Sequence, residues 1–277
     1  MIAGGFLAGI IAPLAVVGAA AVTAVGALLY NDLTVREEIA VFDWLPETLD
    51  GLRVLHISDL HGNSETKMNV DIWTDIACAK FDMAVITGDM IKNHMTELKP
   101  HMPGIKSLAR RVPVFYVEGN HDSLVYKKMA KTLSSAGVIV LDNERQVRRI
   151  NGVDVPLIGL RDYWTLEKQK FLPAKRLFRS WAGRFHIILS HQPQLFDMTK
   201  DKSLGLMLSG HTHGGQVRLP FMPTLYAPGQ GLLPKYGNGW YELGKNKLFI
   251  SCGIGTTDFS LRLFNRPEVA IITLTRA

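Results

Sequence analysis

Charge is missing from the start of the chain. The first 30 of its 277 residues contain no Asp, Glu, Lys, Arg or His. A helix of about 29 residues is roughly 44 Å long and would cross a hydrocarbon core about 30 Å thick. We therefore expect residues 1–30 to form one transmembrane helix that anchors the chain. The alternative is a cleaved signal peptide, which has a basic segment before a shorter apolar core, but no basic residue precedes Arg36.

Cysteine is scarce as well, since Cys78 and Cys252 are the only two. Two distant cysteines form neither a disulfide framework nor a thiolate zinc knuckle. The composition as a whole, 47 % apolar and 20 % charged, excludes a disordered or collagen-like chain. The sequence after the apolar start is therefore that of an ordinary globular protein.

Short apolar runs typical of buried strands recur from Arg53 onward, at 53–57, 83–87, 112–117, 155–160, 185–190, 204–209, 247–251 and 268–274. Stretches of helix length, near 66–80, 95–110 and 123–136, separate the first of these runs. Alternating strands and helices predict βαβ units around buried sheets. We therefore expect a layered α/β domain over residues 52–277, preceded by a linker at 31–51, with an irregular stretch rich in Pro and Gly at 219–241.

Metal-binding side chains follow five of the predicted strands, where the reactive groups of open α/β sheets collect. The sequences are Asp59-Leu60-His61, Gly88-Asp89, Gly119-Asn120-His121-Asp122, His191 and Gly210-His211-Thr212-His213. Mixed carboxylate, imidazole and carboxamide donors suit a pair of first-row divalent cations, whereas calcium takes oxygen ligands alone. Capping and turn formation are the alternative role for Asp and Asn at strand ends, but five such loops in order favour a metal site.

This ordered series resembles the calcineurin-like metallophosphoesterases, and the likeness runs from about residue 53 to the C-terminus. The resemblance implies a layered α/β/β/α sandwich and a hydrolase that uses two divalent metal ions, with Mn preferred and Fe or Zn as alternatives. One metal would be bound by Asp59, His61 and His213, and the other by Asn120, His191 and His211, with Asp89 bridging them. His121 would face the substrate as a catalytic residue and Asp122 would orient it, although Asp122 as a simple helix N-cap is the alternative.

The segments Gly214–Val217 and 261–268 resemble more narrowly a bacterial branch of anchored or secreted phosphodiesterases. That branch includes membrane-associated pyrophosphatases of UDP-diacylglucosamine. The resemblance therefore implies a phosphodiesterase or pyrophosphatase that acts on a lipid-linked or membrane-proximal substrate. The alternatives are a general phosphodiesterase acting on nucleotides or glycerophosphodiesters, and a catalytically silent binding or scaffold module that kept the fold.

Basic charge is concentrated in residues 161–184, which contain seven basic and two acidic side chains. Apolar residues recur at helical spacing after Pro173, so we predict an amphipathic helix at 173–182. Its apolar face could pack on the sheet, or the helix could lie on anionic lipid; nucleic-acid binding ranks lower for a tethered chain. The predicted anchor at residues 1–30 and the resemblance to the bacterial phosphodiesterases together predict a single-pass protein of the bacterial inner membrane. We place the domain on the cytoplasmic side, although few flanking charges specify the orientation.

Overall fold

A computed structural model of the chain describes residues 16–25, 33–62, 68–92, 94–162, 172–215, 218, 222–256, 262 and 264–277. Of the predicted anchor, only residues 16–25 are described, and they form a largely exposed helix, α1. The rest of the anchor, residues 1–15 and 26–30, lies outside the described residues. Across the described ranges, none of the helices combines the length and apolar character needed to cross a bilayer.

The remaining described helices are α2 (Met68–Cys78), α3 (Met102–Arg111), α4 (Tyr126–Ser135) and α5 (Leu172–Ser180). The strands are β1 (Thr34–Phe42), β2 (Arg53–Ile57), β3 (Met83–Ile86), β4 (Val114–Tyr116), β5 (Ile139–Val140), β6 (Glu144–Ile150), β7 (Val153–Leu160), β8 (His186–Ser190), β9 (Gly205–Ser209), β10 (Tyr226–Ala227), β11 (Gly231–Leu232), β12 (Gly239–Leu243), β13 (Asn246–Ile250) and β14 (Glu268–Arg276). Short 3-10 helices span Glu47–Leu49, Met95–His101, Ser123–Val125, Pro193–Thr199 and His213–Gly215.

Two six-stranded mixed sheets form the centre of the fold. The first has the order β1-β14-β2-β3-β4-β5 and the second the order β12-β13-β9-β8-β7-β6. Strands β2 to β5 run parallel to one another, as do β7, β8, β9 and β13. The α/β architecture predicted from the sequence is confirmed.

Three apolar clusters hold the layers together. The first lies between the sheets and joins Val85 and Phe115 of one to Leu189 and Leu208 of the other. The second packs α2, α3 and α4 on the outer face of the first sheet, and the third packs α5 on the outer face of the second. Burial of apolar surface at about 25 cal/mol per Å² makes these clusters the main stabilising contribution.

The predicted linker at 31–51 is wrong for most of its length. Residues 34–42 form β1, which pairs along its whole length with β14, and its Ala40 and Phe42 are buried in the cluster between the sheets. Glu37 lies on the solvent face of this edge strand, whereas Arg36 and Glu38 share the face of Ala40 and Phe42 and form an ion pair with each other. The stretch 219–241, predicted to be irregular, contains β10, β11 and the start of β12.

Candidate metal centre

All seven predicted metal ligands lie at one edge of the two sheets, in loops that follow β2, β3, β4, β8 and β9. These strands place their carboxyl ends side by side, because they run parallel within each sheet. Residues far apart in the sequence, such as His61 and His213 at a separation of 152 positions, thereby come into contact. The topology thus accounts for the convergence of the five sequence motifs.

One group of donors consists of Asp59, His61 and His213, all buried. The Nε2 atoms of His61 and His213 are 3.1 Å apart, and His213 Nε2 is 3.4 Å from Asp59 Oδ1. Neutral imidazole nitrogens at this distance repel each other through their lone pairs unless a proton or a cation lies between them. This donor set therefore fits a divalent metal ion of the first transition row.

A second group consists of Asp89, His191 and His211, with Asn120 beside them. His191 Nε2 lies 3.1 Å from both Asp89 Oδ2 and Asn120 Oδ1 and 3.2 Å from His211 Nδ1. The Nδ1 of His191 donates to the Thr87 carbonyl at 2.7 Å, so that Nε2 is the ring nitrogen directed into the group. Asp89 Oδ2 is also 3.7 Å from His61 Nε2, so Asp89 contacts both groups.

Burial sets the protonation states of these ligands. It lowers the pKa of His61 to about 4 and that of His211 to about 3, which keeps both imidazoles neutral, and it raises the pKa of Asp59 to about 6. Burial disfavours the ion pair of Asp89 with His191 as well. The close contact between the two nevertheless lowers the pKa of Asp89 and raises that of His191.

The backbone of the site adopts costly conformations. Five of the seven predicted ligands have positive φ angles, namely Asp59, His61, Asp89, His211 and His213. Such conformations cost of order 1–3 kcal/mol each and cluster at functional sites. Glycines provide the space: a Cβ at Gly119 would collide with the Asp89 carboxylate, and one at Gly210 would collide with the Asp59 carboxylate.

His121 is the member of the cluster that reaches solvent, with 32 % of its side chain exposed. Its Nε2 lies 4.0 Å from Asp89 Oδ2, and its ring meets the edge of His61 at 4.9 Å between centroids. Its Nδ1 is 3.1 Å from the Lys92 carbonyl. A proton on Nδ1 is held by that carbonyl, and the donor atoms of His61, Asp89 and His121 lie close enough together to form a third possible metal-binding group.

The expectation that Asp122 orients His121 is wrong, because the Lys92 carbonyl takes that place. Asp122 is buried and accepts hydrogen bonds from the amides of Met90, Ile91 and Gly119 and from the hydroxyl of Tyr116. It makes no side-chain capping bond to the helix that follows. Burial raises its pKa to about 7. Asp122 therefore joins the Asp89 loop to the Asn120 loop.

The C-terminal segment supports the centre through residues that had no predicted role in it. Asn265 Nδ2 donates to the His213 carbonyl at 2.6 Å, and the buried guanidinium of Arg262 donates to the carbonyls of Cys252 and Gly253. In the loop that contains Cys252 and Gly253, the Gly255 amide donates a hydrogen bond to the Asp59 carbonyl. The motif at 261–268 marked this segment in the sequence. Its position along the chain did not indicate which ligand loops the segment contacts.

Comparison with known families decides the assignment. The family model for calcineurin-like phosphoesterase matches residues 52–215. The chain belongs to the calcineurin-like phosphoesterase family. It is accordingly a metal-dependent phosphoesterase, a hydrolase whose donor groups at the sheet edge could bind the metal ions.

Relatives of known sequence extend the likeness over most of the chain. The uncharacterized metallophosphoesterase YkuE of Bacillus subtilis is 30 % identical over 250 residues, which are 83 % of this chain and 81 % of that protein. The phosphodiesterase YaeI of Escherichia coli is 29 % identical over 248 residues, 87 % of each chain. A transmembrane protein with a metallophosphoesterase domain from Danio rerio is 26 % identical over 84 % of this chain and 55 % of its own length.

Replacing Asp122 by Asn tests its role in joining the two loops. The Asn amide would face donors at positions where the carboxylate now accepts, so the free energy of unfolding should fall by about 2 kcal/mol or more. Urea denaturation of the metal-free, detergent-solubilised chain measures this change. The control is Asp142→Asn, at a half-exposed position, which should change stability by less than about 0.5 kcal/mol. Unchanged stability together with a lower turnover would instead make Asp122 a catalytic residue.

Proposed function

We propose that the protein is a two-metal hydrolase that cleaves phosphodiester or pyrophosphate bonds. The observation on which this rests is the pair of buried donor groups that share Asp89. Asp89 Oδ2 lies 3.1 Å from His191 Nε2 of one group and 3.7 Å from His61 Nε2 of the other. A carboxylate between two sites holds two cations about 3.5–4 Å apart, the spacing used for in-line displacement at phosphorus.

The donors divide between the two sites as their contacts suggest. Asp59, His61 and His213 would hold one ion; Asn120, His191 and His211 would hold the other, with Asp89 between them. Nitrogen and oxygen donors without thiolates fit Mn, Fe or Zn, and we propose Mn. When bound, such a pair lowers the pKa of a shared water and offsets the negative charge that develops on the phosphoryl oxygens.

The protein itself supplies the proton transfer. The partly exposed His121 has its Nε2 4.0 Å from Asp89 Oδ2 and its Nδ1 3.1 Å from the Lys92 carbonyl. We assign His121 the role of binding the substrate phosphate and protonating the leaving oxygen. An alkoxide leaving group of a diester needs that proton, and the relative YaeI is named a phosphodiesterase. Since the alkoxide leaving group of either ester needs that proton, it is the name of YaeI that supports a diester over a phosphomonoester.

Substitutions at Asp89 and His121 test this division of roles. The full chain in detergent, stripped and reloaded with Mn, should bind two ions and hydrolyse bis(p-nitrophenyl) phosphate. Asp89→Ala should lose both metal binding and turnover. His121→Ala should retain two ions per chain, while kcat for glycerophosphocholine, whose alkoxide leaving group needs the proton, falls by about 10²- to 10⁴-fold in a coupled absorbance assay. Metal content by elemental analysis and turnover by absorbance measure the two effects.

The control for these variants is His94→Ala, because His94 is exposed and has no role in the proposal. It should behave as the unmodified chain does. Full turnover in His121→Ala would remove His121 from the mechanism. A folded, metal-loaded chain that hydrolyses no phosphodiester would favour the binding or scaffold module instead.

We also propose that the substrate is lipid-linked or membrane-proximal, with UDP-diacylglucosamine as the specific candidate and nucleotides or glycerophosphodiesters as alternatives. Support comes from the uncharged first 30 residues and from α5. Ala174 and Phe178 of this helix are buried against the second sheet, so its apolar face is occupied within the fold. The exposed face has Lys175, Arg176 and Arg179 beside a groove of about 290 Å³. Each such charge contributes about 1 kcal/mol near an anionic surface.

Energy transfer tests whether α5 lies at the membrane. The full chain is reconstituted in nanodiscs with a fluorophore at Ser180→Cys, in a Cys78→Ala background, and with a labelled lipid headgroup. We expect transfer to increase when phosphatidylglycerol replaces part of the phosphatidylcholine. Changing Lys175, Arg176 and Arg179 to Glu should abolish that increase, because the attraction to the anionic headgroups is reversed.

The matched control changes three exposed basic residues of α3 and α4, namely Lys106, Arg110 and Lys131, to Glu. It alters the net charge equally and should leave the increase intact. Loss of the increase in both triple variants would show an effect of net charge alone. Transfer that does not depend on anionic lipid would rule out docking through α5.

A further inference from the structure

We propose that a groove beside the His121 loop binds a second phosphate group on the substrate, a subsite that rests on the function proposed above. Residues 123–128 form one wall of this groove, and Asp142 and Arg161 form the other. Its volume is about 670 Å³, which is large enough for a substituent of the reacting phosphate. The groove is distinct from the basic groove on α5.

Both walls are attached to the loop that contains Asn120 and His121. Ser123 Oγ donates to the Asn120 carbonyl at 2.8 Å, and Arg161 Nε donates to Glu118 Oε2 at 2.6 Å. Ser123 is two residues after His121, and Glu118 is two residues before Asn120. We therefore place a substituent of a phosphate held at His121 in this neighbouring groove.

Contacts with three side chains hold Arg161 in position at its wall of the groove. Its guanidinium makes a two-point contact with Glu118, a fully buried carboxylate, at 2.6 and 3.2 Å. It also stacks 3.8 Å from the centroid of Tyr126 and lies 3.7 Å from Asp142. These contacts neutralise Arg161 and fix it in place. Arg161 thus shapes the groove, and its charge is already balanced by the protein.

The excess charge of the groove comes from Lys127 and Lys128. Both are exposed, and within the described ranges neither forms an ion pair with a carboxylate. The one acidic side chain that lines the groove, Asp142, is paired with Arg161. Leu124 is 94 % exposed at the same wall, which gives the rest of the substituent an apolar contact. Two lysines of this kind, placed beside a phosphoesterase centre, suit a phosphate group.

Competition against bis(p-nitrophenyl) phosphate hydrolysis tests the subsite on the full Mn-loaded chain. The competitors form two matched pairs, one from each source: thymidine 5′-phenyl phosphate with and without a 3′-phosphate, and phosphatidylinositol 4-phosphate with phosphatidylinositol. In at least one pair, the added phosphate should lower the inhibition constant about tenfold. The pair that responds identifies a nucleotide or a lipid headgroup as the source.

Lys127→Glu with Lys128→Glu should remove this preference, so that the two members of each pair inhibit equally. The neutral variant Lys127→Gln with Lys128→Gln should reduce the preference for the phosphorylated competitor. It replaces the Glu variant in the test if the reversed charges disturb folding. Lys131→Glu, one turn further along α4 and outside the groove, should retain the preference. The subsite would be overturned if the added phosphate did not change the inhibition constants of the unmodified chain. It would also be overturned if Lys131→Glu lost the preference for the phosphorylated competitor to the same extent. Failure to hydrolyse the reporter would instead contradict the proposed function.

Discussion

The structure depends on crowding two carboxylates and four imidazoles into one buried volume. Asp59 and Asp89 lie among four histidine rings, and several of the donor atoms are 3.1–3.4 Å apart. Groups that carry lone pairs are not packed this closely without a proton or a cation between them. The backbone adds to the cost, since most of these residues have left-handed conformations. Two divalent cations would offset both the repulsion and the backbone strain. Metal binding should therefore stabilise the local fold.

The rest of the fold holds this crowded volume in place. Parallel strands from two sheets bring five loops to one edge, and the large core between the sheets keeps these ends in register. Asp122 joins two of the loops through four hydrogen bonds, and Asn265 holds a third from the C-terminal segment. The edge strand β1 in turn pairs with β14, which follows that segment directly. Elements distant from the metal centre therefore contribute to the positions of its ligands.

The sequence predicted the parts of this arrangement that leave a local pattern. The buried strands are continuous apolar runs, and the ligand loops are identified by residue type and order, so both could be found without coordinates. The strand β1 could not, because an edge strand buries only alternate side chains and Arg36, Glu37 and Glu38 mask the pattern. The role of Asp122 was misassigned because adjacency to His121 suggested a contact. Its partners Met90 and Ile91 belong to another loop and are brought close only by the fold.

Anomalous diffraction from crystals of the Mn-loaded full chain is the most direct test of the central claim. Data recorded near the Mn absorption edge should show two peaks about 3.5–4 Å apart. One should lie against Asp59, His61 and His213 and the other against Asn120, His191 and His211, with the Asp89 carboxylate between them. A single peak, or a pair that does not flank Asp89, would contradict the two-metal account.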